Sequence, residues 1–335
     1  MGDACFHCLV CMIRTFYAFA LLVLLTGAQT ALAQVEDPQL SMYMYNPVYY
    51  NPAAAGSEGV SRLQLVQRTQ YVGYTPTITS DGGAQSTQLV SFNMPLAGIK
   101  SGIGVYAFND RIGPITNQTV QAAYAYRMAL KSGTLALGVQ AGFYSKGYDY
   151  GQLRPGDPVD PLIPTGQISQ ARPDIGAGVY YNTTDYWIGV SMKHINQASY
   201  VLGTDRSVNP LSRNAFLTAG YRLGIGYDID VQPSVLVQYS TVGGVTSSNV
   251  AFNLVGTYDN RIWAGVGYRW QDALTATAGI SLLRDNSLRL GGAFDFVVGG
   301  TQIKSATSYE VLLSYAFPAL DSRKKPIVRT PRFRY

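Results

Sequence analysis

Apolar and polar residues alternate with a period of two along most of this chain of 335 residues. In residues 261–271, for example, one face is formed by Ile262, Ala264, Val266, Tyr268 and Trp270. Successive side chains of a β-strand point to opposite faces, so this period predicts strands, and the 3.6-residue period of helices is absent. The sequence therefore predicts an all-β fold.

Fourteen segments carry this alternation. Their lengths lie near or above the roughly 9–11 residues with which a strand crosses a bilayer at a tilt, and exceed the roughly 5–6 residues usual in soluble proteins. The segments are 62–73, 85–94, 101–109, 116–130, 133–145, 175–182, 185–194, 212–223, 228–240, 248–258, 261–270, 273–283, 287–298 and 307–317.

The connections between these segments alternate in length. Those after even-numbered segments have six residues or fewer, whereas those after odd-numbered segments reach the 29 residues of 146–174, with short exceptions at 110–115 and 271–272. Short turns at one end and long loops at the other are typical of outer-membrane barrels. Many apolar faces also end in aromatic residues, which would form girdles at the membrane interfaces.

We therefore predict a transmembrane antiparallel β-barrel of about 14 strands, closed as an up-and-down meander and integral to the outer membrane. In hydrocarbon every backbone N–H and C=O must pair internally, so strands can span only as a closed cylinder without edges. An even strand number predicts that both termini are periplasmic. The polar faces would line the lumen with Arg127, Gln140, Lys146, Lys193, Arg222, Asp230, Arg269, Arg289, Asp295 and Glu310.

Residues 1–33 have the features of a secretory signal peptide. Arg14 precedes an apolar run over 16–25, and Ala31-Leu32-Ala33 is a small-residue cleavage pattern. The mature chain would begin at Gln34 and would lack all three cysteines, Cys5, Cys8 and Cys11, and with them any disulfide or cysteine-based metal site. An uncleaved N-terminal anchor is the alternative interpretation.

The positive charge of the chain belongs to its C-terminal tail. The formal net charge is +5, from 25 Lys and Arg against 20 Asp and Glu. The signal peptide holds one of each sign and residues 318–335 hold six basic residues and one acid, so 34–317 carries 18 of each. The predicted organisation is a signal peptide (1–33), an N-terminal periplasmic or plug segment (34–61), the barrel (62–317) and a basic periplasmic tail (318–335). Such a tail favours an acidic protein partner or anionic head groups, and not nucleic acid.

Few residues could carry catalysis. His194 is the only histidine after the predicted cleavage site; a hydrolase would pair it with a serine, and a metal site would need several His or Cys ligands. A polar residue at a strand end is the alternative interpretation of His194. Carboxylates in 157–161 could bind calcium, although the prolines there favour a stiff loop. We expect no enzyme activity, no catalytic, cofactor-binding or metal-binding residues, and no cofactor.

Several motifs fall in order along the chain: 37–39 with 43, 46–47 and 51–56, then 68–73, 109–114, 172–178, 309–315 and 326–333. Together they resemble the PorP/SprF membrane proteins of the type IX secretion system over nearly all of residues 37–335. The motif residues, as candidates for partner binding or for structural roles, are Asp37, Pro38, Tyr43, Asn46, Pro47, Asn51, Pro52, Gly56, Arg68, Gln70, Gly73, Asn109, Asp110, Gly113, Pro114, Asp174, Glu310, Arg329 and Arg332.

The resemblance implies a non-enzymatic barrel of the type IX secretion system, serving protein secretion or gliding motility. Such a barrel acts as an adaptor or anchor for secreted or gliding adhesin-like surface proteins, whose C-terminal sorting domains mark them as clients, and links periplasmic ring lipoproteins to the outer-membrane lipid. Loops 146–174 and 195–211 would contact the client, and the N-terminal segment and the tail would meet periplasmic partners. Residues 46–56 could equally cap the periplasmic mouth.

Two other functions stay open. The polar inner face would suit a diffusion pore or a hydrophobic-solute transporter, which single-channel conductance would reveal. An outer-membrane hydrolase would rest on His194 alone.

Overall fold

The computed structural model describes residues 37–72, 84–153, 166–202, 209–242, 245–283, 286–299 and 307–318. They form a closed antiparallel barrel of 14 strands, which confirms the predicted fold. The strands are β1 Ser61–Gln70, β2 Gln85–Leu96, β3 Ser101–Ile112, β4 Ile115–Ala129, β5 Thr134–Asp149, β6 Gln167–Asn182, β7 Tyr186–Lys193, β8 Arg213–Tyr221, β9 Ile229–Val242, β10 Val245–Tyr258, β11 Ile262–Arg269, β12 Ala273–Leu282, β13 Leu288–Val297 and β14 Thr307–Phe317.

Each strand pairs with its neighbours in sequence, and the first strand closes on the last. The register between β1 and β14 places Leu65 opposite Leu313 and Arg68 opposite Glu310. Short turns join β2 to β3, β4 to β5 and the later even strands to their successors, and we call that end of the barrel the turn end. The opposite end is the loop end. β1 begins, and β14 finishes, at the turn end.

β5 and β6 are longer than predicted. They run to Asp149 and from Gln167, and Lys146 pairs with Gln170, so the predicted loop 146–174 was wrong in its bounds. These outer parts of the hairpin consist mainly of polar residues, so the regular alternation that marks a half-buried strand is missing. Asp174 consequently lies within β6, and the candidate calcium motif 157–161 lies outside the described residues.

Shorter elements complete the barrel. Leu223–Ile225 continues β8 and pairs with β9. Ser199–Tyr200 pairs with Asn209–Pro210 in the loop after β7, and one-turn 3-10 helices lie at Ala97–Ile99 and Tyr150–Gln152. Within the described part of the chain, no helix combines the length and the apolarity that crossing a membrane requires.

Ahead of β1, the chain forms three single turns: a 3-10 helix at Tyr43–Tyr45, the helix α1 at Pro47–Tyr50, and a 3-10 helix at Pro52–Ala54. The two prolines stand at the first helical position, where the missing N–H costs nothing. The Asn51 side chain caps the last turn by accepting a hydrogen bond from the N–H of Ala53 at 2.9 Å.

Apolar and polar side chains are distributed in the opposite way to those of a soluble barrel. Outward side chains are apolar and exposed, as at Val120, Phe143 and Val266, which is the face a lipid bilayer covers. The buried core lies in the lumen, where it combines apolar residues of the N-terminal turns, such as Met42 and Tyr49, with polar inward side chains of the strands.

Candidate functional site

Residues 37–60, which we call the N-terminal segment, run through the barrel lumen. Leu40, Met42 and 53–55 are almost completely shielded from solvent. The segment makes hydrogen bonds to at least eight different strands. Its partners on the wall include Ser91, Asn93, Val179, Val190, Ser191, Asn214, Ser234, Gln238, Asn253, Asp295 and Glu310.

Asp37, the first described residue, is fixed by a cluster of charged groups near the loop end. Its Oδ2 accepts a hydrogen bond from Asn214 Nδ2 at 2.8 Å and lies 3.2 Å from His194 Nε2 and 3.7 Å from Lys193 Nζ. His194 Nδ1 lies 2.9 Å from Asp174 Oδ1. We call these five residues the Asp37 cluster. It brings together two predicted motif residues that are far apart in sequence, Asp37 and Asp174.

The surroundings of the cluster set the charges of its members. Burial alone would raise the pKa of Asp37, but Lys193 and His194 outweigh it and hold that pKa well below its usual range. Burial lowers the pKa of His194, but Asp37 and Asp174 outweigh it and raise that pKa to about 9. His194 is therefore a cation at neutral pH, and its positive charge holds the segment in place.

A break in strand alternation puts two consecutive residues into the lumen. Lys193 ends β7 facing inward, and His194 follows with a φ of +56°, so the chain turns and both side chains are buried. The Lys193 ammonium lies 3.6 Å from the centre of the Tyr49 ring, a favourable cation–π contact in a site without water access.

A second group of charges, the Arg68 cluster, holds the segment on the opposite wall. Arg68 lies between Asp295 at 2.7 Å and Glu310 at 3.1 Å. The backbone N–H groups of Ser41 and Met42 donate to the Glu310 carboxylate at 2.7 and 3.0 Å. All these groups are buried, so each charge depends on its partners.

Aromatic rings fill the lumen between the two clusters. Tyr49 packs edge-on against Tyr50, Tyr106 and Phe108, with ring centres 4.8, 5.4 and 6.0 Å apart. Tyr50 contacts Phe216 of β8 at 5.5 Å. The segment therefore packs against both sides of the barrel wall.

Towards the turn end, glycines in the wall let the backbone of the segment approach. A Cβ on Gly138 would lie 2.2 Å from the Ala53 nitrogen, and one on Gly102 would lie 2.1 Å from the Ala55 oxygen. The side-chain amide of Asn51 fits beside Gly178 and donates to the Val179 carbonyl at 2.9 Å. Side chains at these positions would exclude the segment.

The loop after β7 covers the lumen from the loop end. Tyr200 and Leu211 are fully buried, and the Tyr200 hydroxyl donates to the Tyr144 carbonyl at 2.8 Å. This loop, predicted as a contact for a client, therefore also packs on the contents of the barrel.

Most of the predicted motif residues line or fill the lumen. The Tyr49 hydroxyl donates to the Pro38 carbonyl, and Tyr43 bonds to Ser234. Asn46 accepts from Ser91, and the Gly56 N–H donates to Asn93. Pro47 and Pro52 begin their turns, and Gln70 is buried at the end of β1.

The motif 109–114 divides between the two faces of the barrel. Asn109 points outward and bonds to Gln88 and Gln118, whereas Asp110 points inward and accepts from Thr87 and Gln85. Gly113 and Pro114 form the tight turn between β3 and β4, with a φ of +56° at Gly113. Gly73, Arg329 and Arg332 lie outside the described residues.

His194 is not arranged as a catalytic base. Both ring nitrogens lie against carboxylates, Asp37 and Asp174, so neither nitrogen is directed at a serine hydroxyl. The sequence predicted this histidine at a strand end. Its structural role could not be predicted, because the pairing of His194 with Asp37 spans 157 residues in sequence.

Comparisons with known proteins fit this architecture. A family model described as "Type IX secretion system membrane protein PorP/SprF" matches residues 32–315. No curated protein matches the chain.

Several solved structures resemble this chain weakly, among them two described as toluene transporters and one described as an outer membrane protein. The Ralstonia pickettii toluene transporter TbuX is 13% identical with a TM-score of 0.48, over 80% of this chain and 92% of that chain. The Pseudomonas putida toluene transporter TodX is 12% identical with a TM-score of 0.47, over 81% and 93%. Acinetobacter baumannii Omp33 is 6% identical with a TM-score of 0.44, over 77% and 98%. Similarity at this level says nothing about what this chain does.

Proposed function

The chain belongs to the PorP/SprF family of type IX secretion system membrane proteins, and from this membership we propose that it is a plugged adaptor and not a pore. It is an integral outer-membrane barrel. In this proposal it anchors exported or gliding adhesin-like proteins at the cell surface and connects the membrane to periplasmic ring lipoproteins of the machinery. The signal peptide over 1–33 and the periplasmic position of the tail are parts of the same proposal.

The observation that carries the proposal is the filled lumen. The N-terminal segment is joined to both walls by the Asp37 and Arg68 clusters, and its backbone lies directly on wall glycines. A diffusion pore needs a continuous aqueous path through its lumen, and a segment anchored in this way blocks such a path. We propose that residues 37–56 are a fixed plug, because their buried side chains are unavailable for docking to a periplasmic partner.

The exposed ends of the barrel are then the surfaces left for partners. The loop end carries the long β5–β6 hairpin and the loop after β7, which we assign to an exported client with a C-terminal sorting domain. The turn end and the basic tail are assigned to periplasmic lipoproteins. This division gives each end of the barrel its own partner.

Deletion of the chain tests the function. We expect the deletion strain to lose surface attachment of client proteins, measured by mass spectrometry of cell-surface and culture-supernatant fractions, and the wild-type chain to restore it. A His194→Ala variant that restores attachment would remove the remaining support for a hydrolase. Clients that stay secreted and attached as in the parent strain would refute the adaptor role.

A further inference from the structure

Four arginines converge on the turn end of the lumen from different parts of the wall. Arg62 belongs to β1, Arg127 to β4 and Arg289 to β13, and Arg222 follows β8. Arg289 interacts electrostatically with Arg62 and Arg222, and Arg127 and Arg222 both act on the buried ring of Tyr180. We call these four residues the turn-end arginine cluster.

Two of these arginines form no ion pair with a described residue. Arg62 donates to Glu58 at 2.5 Å and to Ser314 at 3.0 Å. Among the residues that the structure describes, the guanidinium groups of Arg222 and Arg289 make no hydrogen bond or ion pair. Five donors on each planar guanidinium therefore remain for a ligand, in the fork geometry that matches a carboxylate.

Acidic side chains only partly neutralise Arg62, Arg222 and Arg289. Glu58 pairs with Arg62 and also attracts Arg289 from a greater distance, and Asp230 acts on Arg222 without an ion pair. Two carboxylates thus face these three guanidinium groups. Among their described residues, the surrounding short turns carry as many acids as bases. The bases of these turns, apart from Arg222, are Lys100, Lys131 and Arg261, and the acids are Asp185, Asp228 and Asp259. The excess positive charge therefore lies in the mouth itself.

Like charges held together are costly unless an anion joins them. Elsewhere in this lumen, buried arginines have carboxylates within reach, as Arg68 has Asp295 and Glu310. The turn-end cluster differs because Arg127, Arg222 and Arg289 are only half-buried, so solvent reaches their side chains. A ligand can reach it without moving the N-terminal segment.

We propose that the turn-end arginine cluster is a binding site for an acidic peptide segment of a partner protein. The last strand, β14, ends at Phe317 at the same end of the barrel, and the basic tail follows it in sequence. The tail itself cannot neutralise the mouth, because it carries six basic residues and one acid. That the partner is a component of the secretion machinery rests on the proposed function; the acidic chemistry rests on the cluster.

Binding of a fluorescein-labelled poly-glutamate peptide to the purified full-length protein, measured by fluorescence anisotropy at low salt, tests the proposal. The double variant Arg222→Gln/Arg289→Gln should bind about tenfold more weakly, and Arg222→Lys/Arg289→Lys, which keeps the charge but loses the guanidinium fork, should bind with an intermediate affinity. The matched control is Arg111→Gln/Arg213→Gln, which removes the same charge from exposed positions at the loop end. Heat-modifiable electrophoretic mobility checks that each barrel is folded.

Three results would overturn the proposal: equal affinity of the wild-type protein and the Arg222/Arg289 variant, equal loss in the loop-end control, or displacement of the peptide by inorganic phosphate at concentrations no higher than those of the peptide. The last result would mean a small-anion site. Because peptide binding is measured on purified protein, its failure leaves the deletion test of the adaptor role untouched.

Discussion

A single methyl group at Gly138 should displace the N-terminal segment. A Cβ at this position of β5 would lie 2.2 Å from the Ala53 nitrogen, 2.4 Å from the Ala53 Cα and 2.5 Å from the Pro52 carbonyl carbon. All three are backbone atoms, so no side-chain rotation relieves the overlap. Even to reach 3.0 Å, the shortest separation real Cβ atoms show, the wall and the segment must part by about 0.8 Å, the difference between 3.0 and 2.2 Å.

The cost of Gly138→Ala follows from this overlap. Overpacking a tightly packed interior by one methyl group costs about 1–3 kcal/mol, and three backbone contacts place this variant near the upper end, about 3 kcal/mol. The gain from reduced backbone freedom in the unfolded chain, about 0.4–1 kcal/mol, offsets only part of it. We therefore expect the free energy of unfolding to fall by about 2 kcal/mol.

Urea unfolding of the barrel in detergent micelles, followed by tryptophan fluorescence, measures this change. Gly256→Ala is the matched control, since the nearest atom to its new Cβ would be the Ala264 oxygen at 3.8 Å. We expect that variant to unfold like the wild-type protein or slightly later. If Gly138→Ala and Gly256→Ala had the same midpoint, the close contact between β5 and Pro52–Ala54 would be refuted.

Three further changes probe the contacts that hold the segment. Arg68→Met leaves the carboxylates of Asp295 and Glu310 buried without their main cation and should destabilise the barrel by about 3–5 kcal/mol in the same urea assay; an unchanged midpoint would contradict the Arg68 cluster. Asn51→Ala removes the cap and the amide bonds to β6 and β7 and should cost about 1–2 kcal/mol, whereas Asn109→Ala, on the outer face, should cost less. His194 has an unfolded pKa near 6.5 and a folded pKa of about 9, so its contribution to stability is complete below about pH 6.5 and is lost as the pH rises through about 9. In the His194→Gln variant, the thermal midpoint should therefore fall less at alkaline pH than in the wild-type protein. An unaltered pH profile would show that the charge of His194 does not stabilise the folded protein.

The barrel could be predicted from the sequence because the patterns that specify its strands and hairpins lie within short stretches of the chain. Alternation along each strand reports which face meets lipid, and the alternating connection lengths report the hairpins, so strand number and closure followed from the residues. The prediction was wrong over 146–174, where β5 and β6 extend past the apolar belt. Most residues there are polar, so pairings such as that of Lys146 with Gln170 do not show in the hydrophobic pattern.

The interior of the barrel could be predicted only in part. Motif residues such as Asp37 and Glu310 marked the segment and the wall, but their pairing partners lie more than a hundred residues away in sequence. The position of His194 depends on its positive φ, which turns its side chain inward beside that of Lys193, and no periodic pattern indicates such a turn. Glycines at inward positions, such as Gly102 and Gly138, were the one local signal of a close backbone approach.

Single-channel recording in planar bilayers tests most directly whether this barrel is plugged. The mature protein, inserted from detergent, should give no steady open-channel current, because residues 37–56 fill the lumen and the Asp37 and Arg68 clusters hold them there. A matched recording from Arg68→Met, whose segment is held on one wall only, should show intermittent openings. A steady ohmic current through the unmodified protein would contradict the plugged barrel and favour a diffusion pore.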